Sequence, residues 1–333
     1  METRDLGASG PRTSLIGLGA MGMSGLYGAA DEAESIATVH AALDAGVTLV
    51  DTGDFYGMGD NEMLLGRALR GRPRDGYRLS VKFGAQRGPD GAWLGYDASP
   101  NALKTALAYS LRRLGTDYVD IYRPARLDPR VPIEETAGAI RELIEAGYVR
   151  YLGLSEVGAE TIRRAHAVQP VSDLQIEYSL FSRGVESAIL PALRELGIGL
   201  TAYGVLSRGL LSGHWSAQRS AAPSDFRTHA PRFQEGNVQR NLELVEALRK
   251  VADAKGATVA QLAIAWVAAQ DPLIVPLVGA RSRDRLAEAL GAADLELSAE
   301  DLAAIERAVP AGSASGERYG ADQFAMLDSE KPA

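Results

Sequence analysis

Three residues near the start of the sequence have the chemistry of a proton-transfer site: Asp51, Tyr56 and Lys82. A lysine that points into a folded interior needs an anionic partner, because burying an unpaired ammonium is too costly. Asp51 can supply that partner. A neighbouring ammonium also stabilises a phenolate and lowers the pKa of a tyrosine from its usual value of about 10. Together the three side chains could give a proton to a carbonyl oxygen as it becomes an alkoxide, provided that a hydride donor is bound beside them.

Two neighbouring strand patterns would hold these residues. Asp51 lies in the apolar run 48–52, at the carboxyl end of a predicted strand, where folds of alternating strands and helices place their reactive residues. In the next predicted strand, 78–83, alternation puts Ser80 and Lys82 on one face and the apolar residues on the other. Asp51 alone could be a turn-forming residue, but a lysine on the inner face of the adjacent strand favours a site.

The rest of the chain repeats this rhythm of strand and helix. Apolar and β-branched runs predict eight strands, at 14–18, 48–52, 78–83, 118–122, 150–154, 171–176, 199–202 and 273–278. Apolar residues three or four apart predict helices between them, at 34–45, 61–69, 100–114, 133–146, 159–167, 185–196 and 282–290. Gly115 and Gly197 follow helices, where glycine caps are expected. The pattern predicts an α/β fold with a parallel sheet.

Three departures from the repeat complete the predicted architecture. A β-hairpin at 3–13 comes before the first unit, a long loop at 204–236 follows the seventh strand, and two additional helices, 238–254 and 259–269, come before the eighth. We therefore predict a single (β/α)8 TIM barrel over residues 1–333. Its barrel core spans about residues 14–292, and a C-terminal helix and tail occupy 298–333.

Composition excludes several classes of site and partner. The 333 residues include 35 Lys and Arg and 43 Asp and Glu, and the net charge of −8 argues against a dedicated nucleic-acid binder. The absence of cysteine excludes disulfides, thiolate catalysis and Cys-ligated metals, and we predict no metal site. The N-terminal segment lacks a signal-peptide pattern, and no apolar run approaches about 18 residues. We therefore expect a cytoplasmic protein with no membrane partner.

A glycine motif near the amino terminus suggests a different cofactor fold. Gly17, Gly19 and Gly22 form a G-x-G-x-x-G pattern after an apolar run, the fingerprint of a Rossmann domain. That fingerprint needs a helix immediately after the glycines and an acidic residue about 20 positions further on. The chain instead continues with loop-forming residues, and Asp51 comes too late. We therefore interpret this segment as a flexible loop at the mouth of a barrel.

The sequence resembles the aldo-keto reductase superfamily over nearly its whole length, from about Leu6 to Val309. The resemblance rests on six segments that occur in this order: Asp51–Gly57, Glu62–Leu69, Ser110–Asp120, Gly153–Ser155, Gln175–Ser179 and Gly279–Ser282. It implies an eight-stranded barrel that binds NADPH without a Rossmann domain and reduces carbonyl compounds. It also implies that Asp51, Tyr56 and Lys82 are the catalytic residues.

The same resemblance implies a set of cofactor contacts. Ser155 and Gln175 would hold the nicotinamide carboxamide, and Tyr203 would stack on the nicotinamide ring. Arg281 and Arg285 match positions that face the 2′-phosphate, so NADPH is expected rather than NADH. They lie where a helix opens after the eighth strand, and backbone N–H groups there favour phosphate. The further contacts implied at this helix are Gly279, Ser282 and, against the adenine, Glu288.

The sequence departs from the superfamily at one catalytic position. Where relatives usually have a histidine after the fourth strand, aimed at the carbonyl oxygen, this chain has Ala125. None of its four histidines is placed by the sequence to replace it. Arg123 or Arg126 could provide a substitute donor, or an ordered water could fill the space.

Two functions are compatible with these residues. The first is NADPH-dependent reduction of aldehydes or ketones to alcohols, with a small-molecule carbonyl substrate and Tyr56 as the proton donor. The alternative is a cofactor-binding, redox-sensing regulatory subunit of the same fold with little turnover, which the missing histidine favours. Retention of Asp51, Tyr56 and Lys82 favours the enzyme, because a binding protein has no need of a buried lysine beside a tyrosine.

Overall fold

The computed structural model describes residues 1–25, 28–216 and 225–331. In these residues the strands are β1 (Thr3–Asp5), β2 (Arg12–Ser14), β3 (Gly17–Gly19), β4 (Leu49–Gly53), β5 (Arg78–Phe83), β6 (Ala85–Arg87), β7 (Trp93–Tyr96), β8 (Val119–Pro124), β9 (Val149–Ser155), β10 (Val171–Glu177), β11 (Gly199–Tyr203) and β12 (Ile274–Gly279). The helices are α1 (Glu32–Asp44), α2 (Asp60–Leu69), α3 (Pro100–Leu114), α4 (Ile133–Glu145), α5 (Ala159–Val168), α6 (Ile189–Leu196), α7 (Asn237–Ala254), α8 (Val259–Ala269), α9 (Arg283–Leu290), α10 (Ala299–Ala308) and α11 (Ala321–Ala325).

Eight of the strands close a parallel barrel. Their order around it is β3, β4, β5, β8, β9, β10, β11 and β12, and β12 pairs with β3. At least one helix follows each barrel strand before the next one begins, because parallel neighbours need a crossover connection. The prediction of a (β/α)8 barrel is therefore confirmed, and with it the rejection of a Rossmann domain.

Local sequence explains where the helices begin and end. Asp31 precedes α1 and its carboxylate accepts a hydrogen bond from the Glu34 backbone N–H at 2.7 Å. Thr258 and Ser298 cap α8 and α10 through capping boxes. The predicted glycine caps Gly115 and Gly197 end α3 and α6 in the left-handed conformation.

The predicted N-terminal hairpin closes one end of the barrel. Strands β1 and β2 pair antiparallel, and the chain then inserts Leu6, which is fully buried, among interior residues such as Leu49 and Val275. The adjoining Gly7 has φ +75, and a Cβ on it would lie 2.5 Å from the Ser172 carbonyl oxygen. Only glycine allows the backbone to come this close, so the hairpin packs against the barrel through its main chain.

Three features differ from the sequence predictions. The predicted strand 14–18 is divided, because Ser14 ends β2 and its hydroxyl donates to the Ile16 carbonyl (2.7 Å), turning the chain before β3. The hairpin of β6 and β7 was not predicted, since its strands are short and half-exposed. The polar tail contains α11 and folds back onto the barrel mouth.

The long loop after β11 is shaped by short turns of 3-10 helix at Ser207–Ser212, Phe226–His229 and Pro231–Phe233. Residues 217–224 of the predicted loop lie outside the described residues. Within the described ranges, no helix is long and apolar enough to cross a membrane, and no group of three or more His, Cys, Asp or Glu side chains could hold a metal ion.

Candidate active site

Strand alternation fills the upper barrel interior with polar side chains. Towards one end the interior is apolar, with Leu6, Leu49, Ile121, Val275 and Leu277 in one cluster. Towards the carboxyl ends of the strands the interior becomes polar: Asp51 stands two positions after Leu49, and Arg123 two positions after Ile121. These inner residues hydrogen-bond across the barrel, and they include Asp51, Ser80, Lys82, Arg123, Asp173 and Gln175.

Asp51 lies at the centre of this polar layer and is 2% exposed. The Lys82 ammonium donates to its Oδ1. The Ser80 hydroxyl and the Gln175 side-chain amide both donate to its Oδ2, each at 2.8 Å. The ion pair between Asp51 and Lys82 that the sequence predicts is therefore formed, and two further donors hold the carboxylate in one orientation.

Tyr56 is brought over Lys82 by the turn that follows β4. The turn reverses sharply because Gly57 and Met58 both have positive φ (56 and 54). The Lys82 ammonium lies 5.2 Å from the centroid of the Tyr56 ring, and the Phe55 ring packs edge-on against that of Tyr56 at 4.7 Å. The aspartate, lysine and tyrosine thus form one cluster at the carboxyl ends of β4 and β5.

Burial dominates the electrostatics of Lys82. It lowers the pKa of Lys82 to about 8, because the opposing attraction of Asp51 compensates only in part and the charges of Arg123 and Arg126 act in the same direction as burial. The lysine is 4% exposed. At neutral pH it is an ammonium next to a phenol, the arrangement that stabilises a phenolate as the phenol loses its proton.

Arg123 lies beneath this cluster, inside the barrel. Its guanidinium is fully buried and binds the Asp173 carboxylate at 2.9 and 3.2 Å. Its Nη2 also donates to the Ser80 hydroxyl at 3.0 Å, so the chain of contacts continues from Asp173 to Asp51. The neighbouring strand makes room for it with Gly153, where a Cβ would lie 3.0 Å from Arg123 Cζ.

A cavity of about 1070 Å³ opens above the cluster, and of the two arginines near Ala125 one lines it and the other does not. Ala125 and Arg126 line the cavity, together with Asp51, Tyr56 and Lys82. Arg123 does not line it, since Asp173, Ser80 and the Leu154 carbonyl use its guanidinium inside the barrel. Of the two arginines predicted as candidate donors, Arg126 therefore faces the cavity, whereas Arg123 faces the barrel interior.

The residues expected to hold a nicotinamide line the same cavity. Ser155 and Gln175 are neighbours on β9 and β10. The Ser155 hydroxyl is buried and has no hydrogen-bond partner among the described residues, although buried polar atoms normally have one. Tyr203 ends β11, with its hydroxyl anchored on Glu156 Oε1 at 2.6 Å. An unsatisfied hydroxyl beside an amide and an aromatic ring suits a ligand that carries a carboxamide.

The cavity continues to the residues around the start of α9, where Gly279, Arg281, Ser282, Arg285 and Glu288 all line it. The Ser282 hydroxyl caps α9, and Arg281 donates to the carbonyls of Gly28 and Ala29 at 3.2 Å. Glu288 accepts from Arg285 at 3.0 Å. This branch of the cavity is basic and has backbone N–H groups at a helix start, which suits phosphate.

Two neighbours of this branch differ in their surroundings. His214 lies 3.0 Å from both carboxylate oxygens of Glu288, so a loop histidine joins the branch expected to hold adenine. Arg283 instead pairs with Glu34 of α1 at 3.0 Å and is largely exposed. Arg283 is therefore a solvated charge at the start of α9.

The C-terminal tail completes the mouth of the cavity. Arg318 grips Glu156 with two hydrogen bonds of 2.8 and 2.6 Å, and the Ser329 hydroxyl adds a third at 2.9 Å. Although burial raises the pKa of Glu156, the hydrogen bonds and charge of Arg318 outweigh it and hold that pKa at about 2. The next residue, Tyr319, contacts the Tyr203 hydroxyl at 2.9 Å and accepts from Arg126 at 3.2 Å.

Comparison with known proteins places this geometry in a family. The profile of the aldo/keto reductase family matches residues 15–310. The chain belongs to the aldo/keto reductase family. A probable aldo-keto reductase from Glycine max is 40% identical over 332 residues, which is 98% of this chain and 95% of the relative.

Solved aldo/keto reductases have the same fold. A glycerol dehydrogenase from Gluconobacter oxydans superposes with a TM-score of 0.84 at 28% identity, over 92% of this chain and 94% of the other. An aldo-keto reductase from Bacillus halodurans, solved in its holo form, gives 0.77 at 28% identity over 94% and 97%. This aldo/keto reductase is accordingly an oxidoreductase of a family that reduces small carbonyl compounds with nicotinamide cofactors.

Several residues of this aldo/keto reductase site were missed in the sequence. Glu156 directly follows Ser155 at a strand end, so its position alone was a usable signal. Arg318 and Tyr319 lie in a polar tail without periodicity, where no local pattern marks them. Asp173 was hidden in an apolar strand and is identified only by its contact with Arg123.

Proposed function

We propose that this aldo/keto reductase reduces aldehydes or ketones to alcohols with NADPH, and that Tyr56 donates the proton. The observation that carries the proposal is the cluster of Asp51, Lys82 and Tyr56 at the base of a cavity whose other branch ends at Arg281 and Arg285. A proton donor and a phosphate-binding branch in one cavity are the two parts that a nicotinamide reductase needs.

The chain's own residues account for the proton. Tyr56 lines the cavity and gives its phenolic proton to the oxygen of the bound carbonyl. Lys82 stabilises the phenolate that forms, since its ammonium lies against the tyrosine ring. Asp51, held by Lys82, Ser80 and Gln175, keeps that ammonium in place and offsets the cost of burying it.

The cofactor residues fit a nicotinamide dinucleotide. When bound, NADPH supplies the hydride that reduces the carbonyl carbon. Ser155 and Gln175 would hold the carboxamide, Tyr203 would support the nicotinamide ring, and the start of α9 would bind phosphate through Gly279 and Ser282, all of which line the cavity. Arg281 and Arg285 would pair with the 2′-phosphate, and Glu288 would contact the adenine.

Arg126 takes the role of hydrogen-bond donor near the reacting oxygen. It follows Ala125, whose methyl group leaves space where relatives have a histidine, and both residues line the cavity. A guanidinium also stabilises developing negative charge on oxygen without giving up a proton. Tyr56 therefore remains the proton donor in this mechanism.

The variant Tyr56→Phe tests the proton donor. It keeps the ring and removes the acid, so NADPH oxidation against a panel of small aldehydes should fall by about 10²–10⁴ while NADPH affinity stays nearly unchanged. Full activity of this variant would show that Tyr56 is not the donor. A wild-type protein that binds NADPH tightly and turns over none of the aldehydes would favour the regulatory subunit instead.

Fluorescence titration tests the cofactor. Charge-assisted pairs with Arg281 and Arg285 should make NADPH bind at least about tenfold more tightly than NADH. Arg285→Ala should weaken NADPH far more than NADH, because NADH has no 2′-phosphate. Equal dissociation constants for the two cofactors in the wild-type protein would overturn the NADPH assignment.

A further inference from the structure

Arg126 is a half-buried cation, and no carboxylate in the part of the chain that the structure describes lies within ion-pair distance of it. Its Nη1 donates to the Ala125 carbonyl at 2.6 Å and its Nη2 to the Tyr319 hydroxyl at 3.2 Å. Both acceptors are neutral. A guanidinium carries five N–H donors, so most of those of Arg126 remain for a ligand in the cavity that it lines.

The surrounding charges leave Arg126 in excess. A connected network at the cavity mouth joins Arg126, Arg208, Arg232 and Arg318 to three carboxylates, those of Glu156, Glu177 and Glu330. We call these residues, with Tyr203 and Tyr319, the mouth network. The other three arginines each lie within ion-pair distance of a carboxylate. Arg126 is hydrogen-bonded to Glu156 only through the two tyrosine hydroxyls, and the charge of Glu156 acts on the guanidinium from that greater distance.

The hydrogen bonds of the mouth network fix how Arg126 is oriented. Glu156 is ionised and can only accept, so the Tyr203 hydroxyl donates to it. Tyr203 then has no second hydrogen to give, and Tyr319 must donate to Tyr203. The Tyr319 oxygen is thereby left to accept from Arg126. This sequence of donors and acceptors fixes one edge of the Arg126 guanidinium, and its other N–H groups remain available to a ligand in the cavity.

Arg126 also acts on the reacting end of the cavity. Its positive charge lowers the pKa of Lys82, in the same direction as burial does. Aromatic and apolar side chains such as Trp93, Tyr96 and Met326 line the same cavity. A cation with free donors beside such a wall favours a ligand that has an apolar body and one planar anionic group, because a carboxylate accepts two parallel bonds from a guanidinium.

We propose that the substrate is a carbonyl compound that carries a carboxylate, and that Arg126 binds this carboxylate. The proposal rests on the carbonyl reduction proposed above and adds its substrate class. The anion supplies the counter-charge that the mouth network lacks, and Tyr319 positions Arg126 to receive it.

Matched pairs of charged and neutral aldehydes test the substrate class. Glyoxylate, succinic semialdehyde and para-formylbenzoate, which differ in the spacing between carbonyl and carboxylate, are each compared with the corresponding amide. At least one carboxylate should exceed its amide by about tenfold or more in kcat/KM. In Arg126→Met both members of each pair should slow, because the donor near the reacting oxygen is lost. The carboxylate should lose about tenfold more than its amide, so that the preference disappears.

Arg87→Met is the matched control. Arg87 lines the same cavity but is exposed and stacks over Trp93. The Arg87→Met variant removes one positive charge from the rim of the cavity, as Arg126→Met does from its interior. It therefore measures the long-range attraction of a carboxylate alone, and most of the preference should remain. Tyr319→Phe, which keeps the guanidinium and removes its acceptor, should reduce the preference by a few-fold and serves if Arg126→Met does not fold.

A binding measurement separates this proposal from the reaction itself. Calorimetric titration with benzoate and benzamide in the presence of NADP⁺ needs no turnover. Benzoate should bind more tightly than benzamide to the wild-type protein, and Arg126→Met should remove that difference. Absence of a preference for any carboxylate in both assays would overturn the proposal, as would an equal loss for charged and neutral substrates in Arg126→Met. A protein that binds benzoate through Arg126 but reduces no aldehyde would instead overturn the proposed reaction.

Discussion

Among the buried arginine–carboxylate pairs of this barrel, two lie at different depths and can be compared. Arg123 and Asp173 lie in the interior, where both side chains are fully buried, and they come from strands β8 and β10. Arg318 and Glu156 lie at the mouth, and they join the end of strand β9 to a residue 162 positions later in the chain. The first pair connects two strands of the barrel, whereas the second connects the C-terminal tail to the barrel.

Because the two pairs lie at different depths, they support different parts of the site. The interior pair supports the proposed catalytic cluster from below, because Arg123 also donates a hydrogen bond to Ser80, which donates one to Asp51. The mouth pair supports the proposed substrate-binding part of the cavity, because the Arg318–Glu156 contact positions the adjacent Tyr319 against Arg126. Glu156 keeps a left-handed backbone (φ 53), which a non-glycine residue adopts only where its surroundings fix it. The tail contacts provide that constraint.

Loss of the interior pair should have the largest effect on stability. Arg123→Met leaves the Asp173 charge buried with only hydroxyl donors, Thr201 and Ser172, among its side-chain partners. The free energy of unfolding should fall by about 3–5 kcal/mol in a denaturant titration. The double variant Arg123→Met, Asp173→Leu should recover part of that loss, since no unpaired charge remains. Equal stabilities of wild-type and Arg123→Met would contradict the framework role.

Loss of the mouth pair should cost less stability and more substrate affinity. In Arg318→Met, Glu156 keeps its bonds to Tyr203, Ser329 and the Glu177 backbone N–H, so unfolding should be easier by only about 1.5–3 kcal/mol. The tail should open locally, which limited proteolysis followed by mass spectrometry will detect. KM for the carbonyl substrate should rise several-fold while NADPH affinity stays unchanged. A fall in kcat without a change in KM would instead assign Arg318 to the support of the proposed catalytic cluster.

The smallest effect expected is a shift in pH dependence. Lys82 is charged below its pKa of about 8, so carbonyl reduction should decline by up to about tenfold per pH unit above that value. Arg126→Met removes a charge that opposes the ammonium and should move the decline to higher pH, whereas Arg318→Met should not.

Asp54→Asn provides the control for this pH measurement. Burial and the charge of Glu62 raise the pKa of Asp54 to about 7, so its titration could overlap that of Lys82. A decline that disappears in Asp54→Asn would assign the pH dependence to Asp54 and not to Lys82.

The strand pattern was enough to predict that Asp51 and Lys82 meet inside the barrel. Alternation in β5 sends Ser80 and Lys82 inward and leaves Leu79 and Val81 against the helices, and the structure has both sets where alternation puts them. Parallel strands bring their carboxyl ends to one edge, so Asp51 and Lys82 meet without any need to know the loops.

The two arginines beside Ala125 show where that logic stops. Arg123 is still within β8 and points inward, but Arg126 lies beyond the strand, where the path of the loop decides the side-chain direction. The sequence therefore left both as candidate donors, and only the fold separated a buried framework group from a cavity-facing one.

The sequence by itself determined the barrel, the inward-facing aspartate and lysine, and the basic segment at the start of α9, because each follows from the period of a strand or the opening of a helix. Only the tertiary structure decided that residues 318–330 return over the mouth and that Tyr319 meets Arg126, 193 positions away. Contacts between residues so far apart in the sequence depend on the closed shape of the barrel and on which charged groups the fold brings together. No local pattern encodes them.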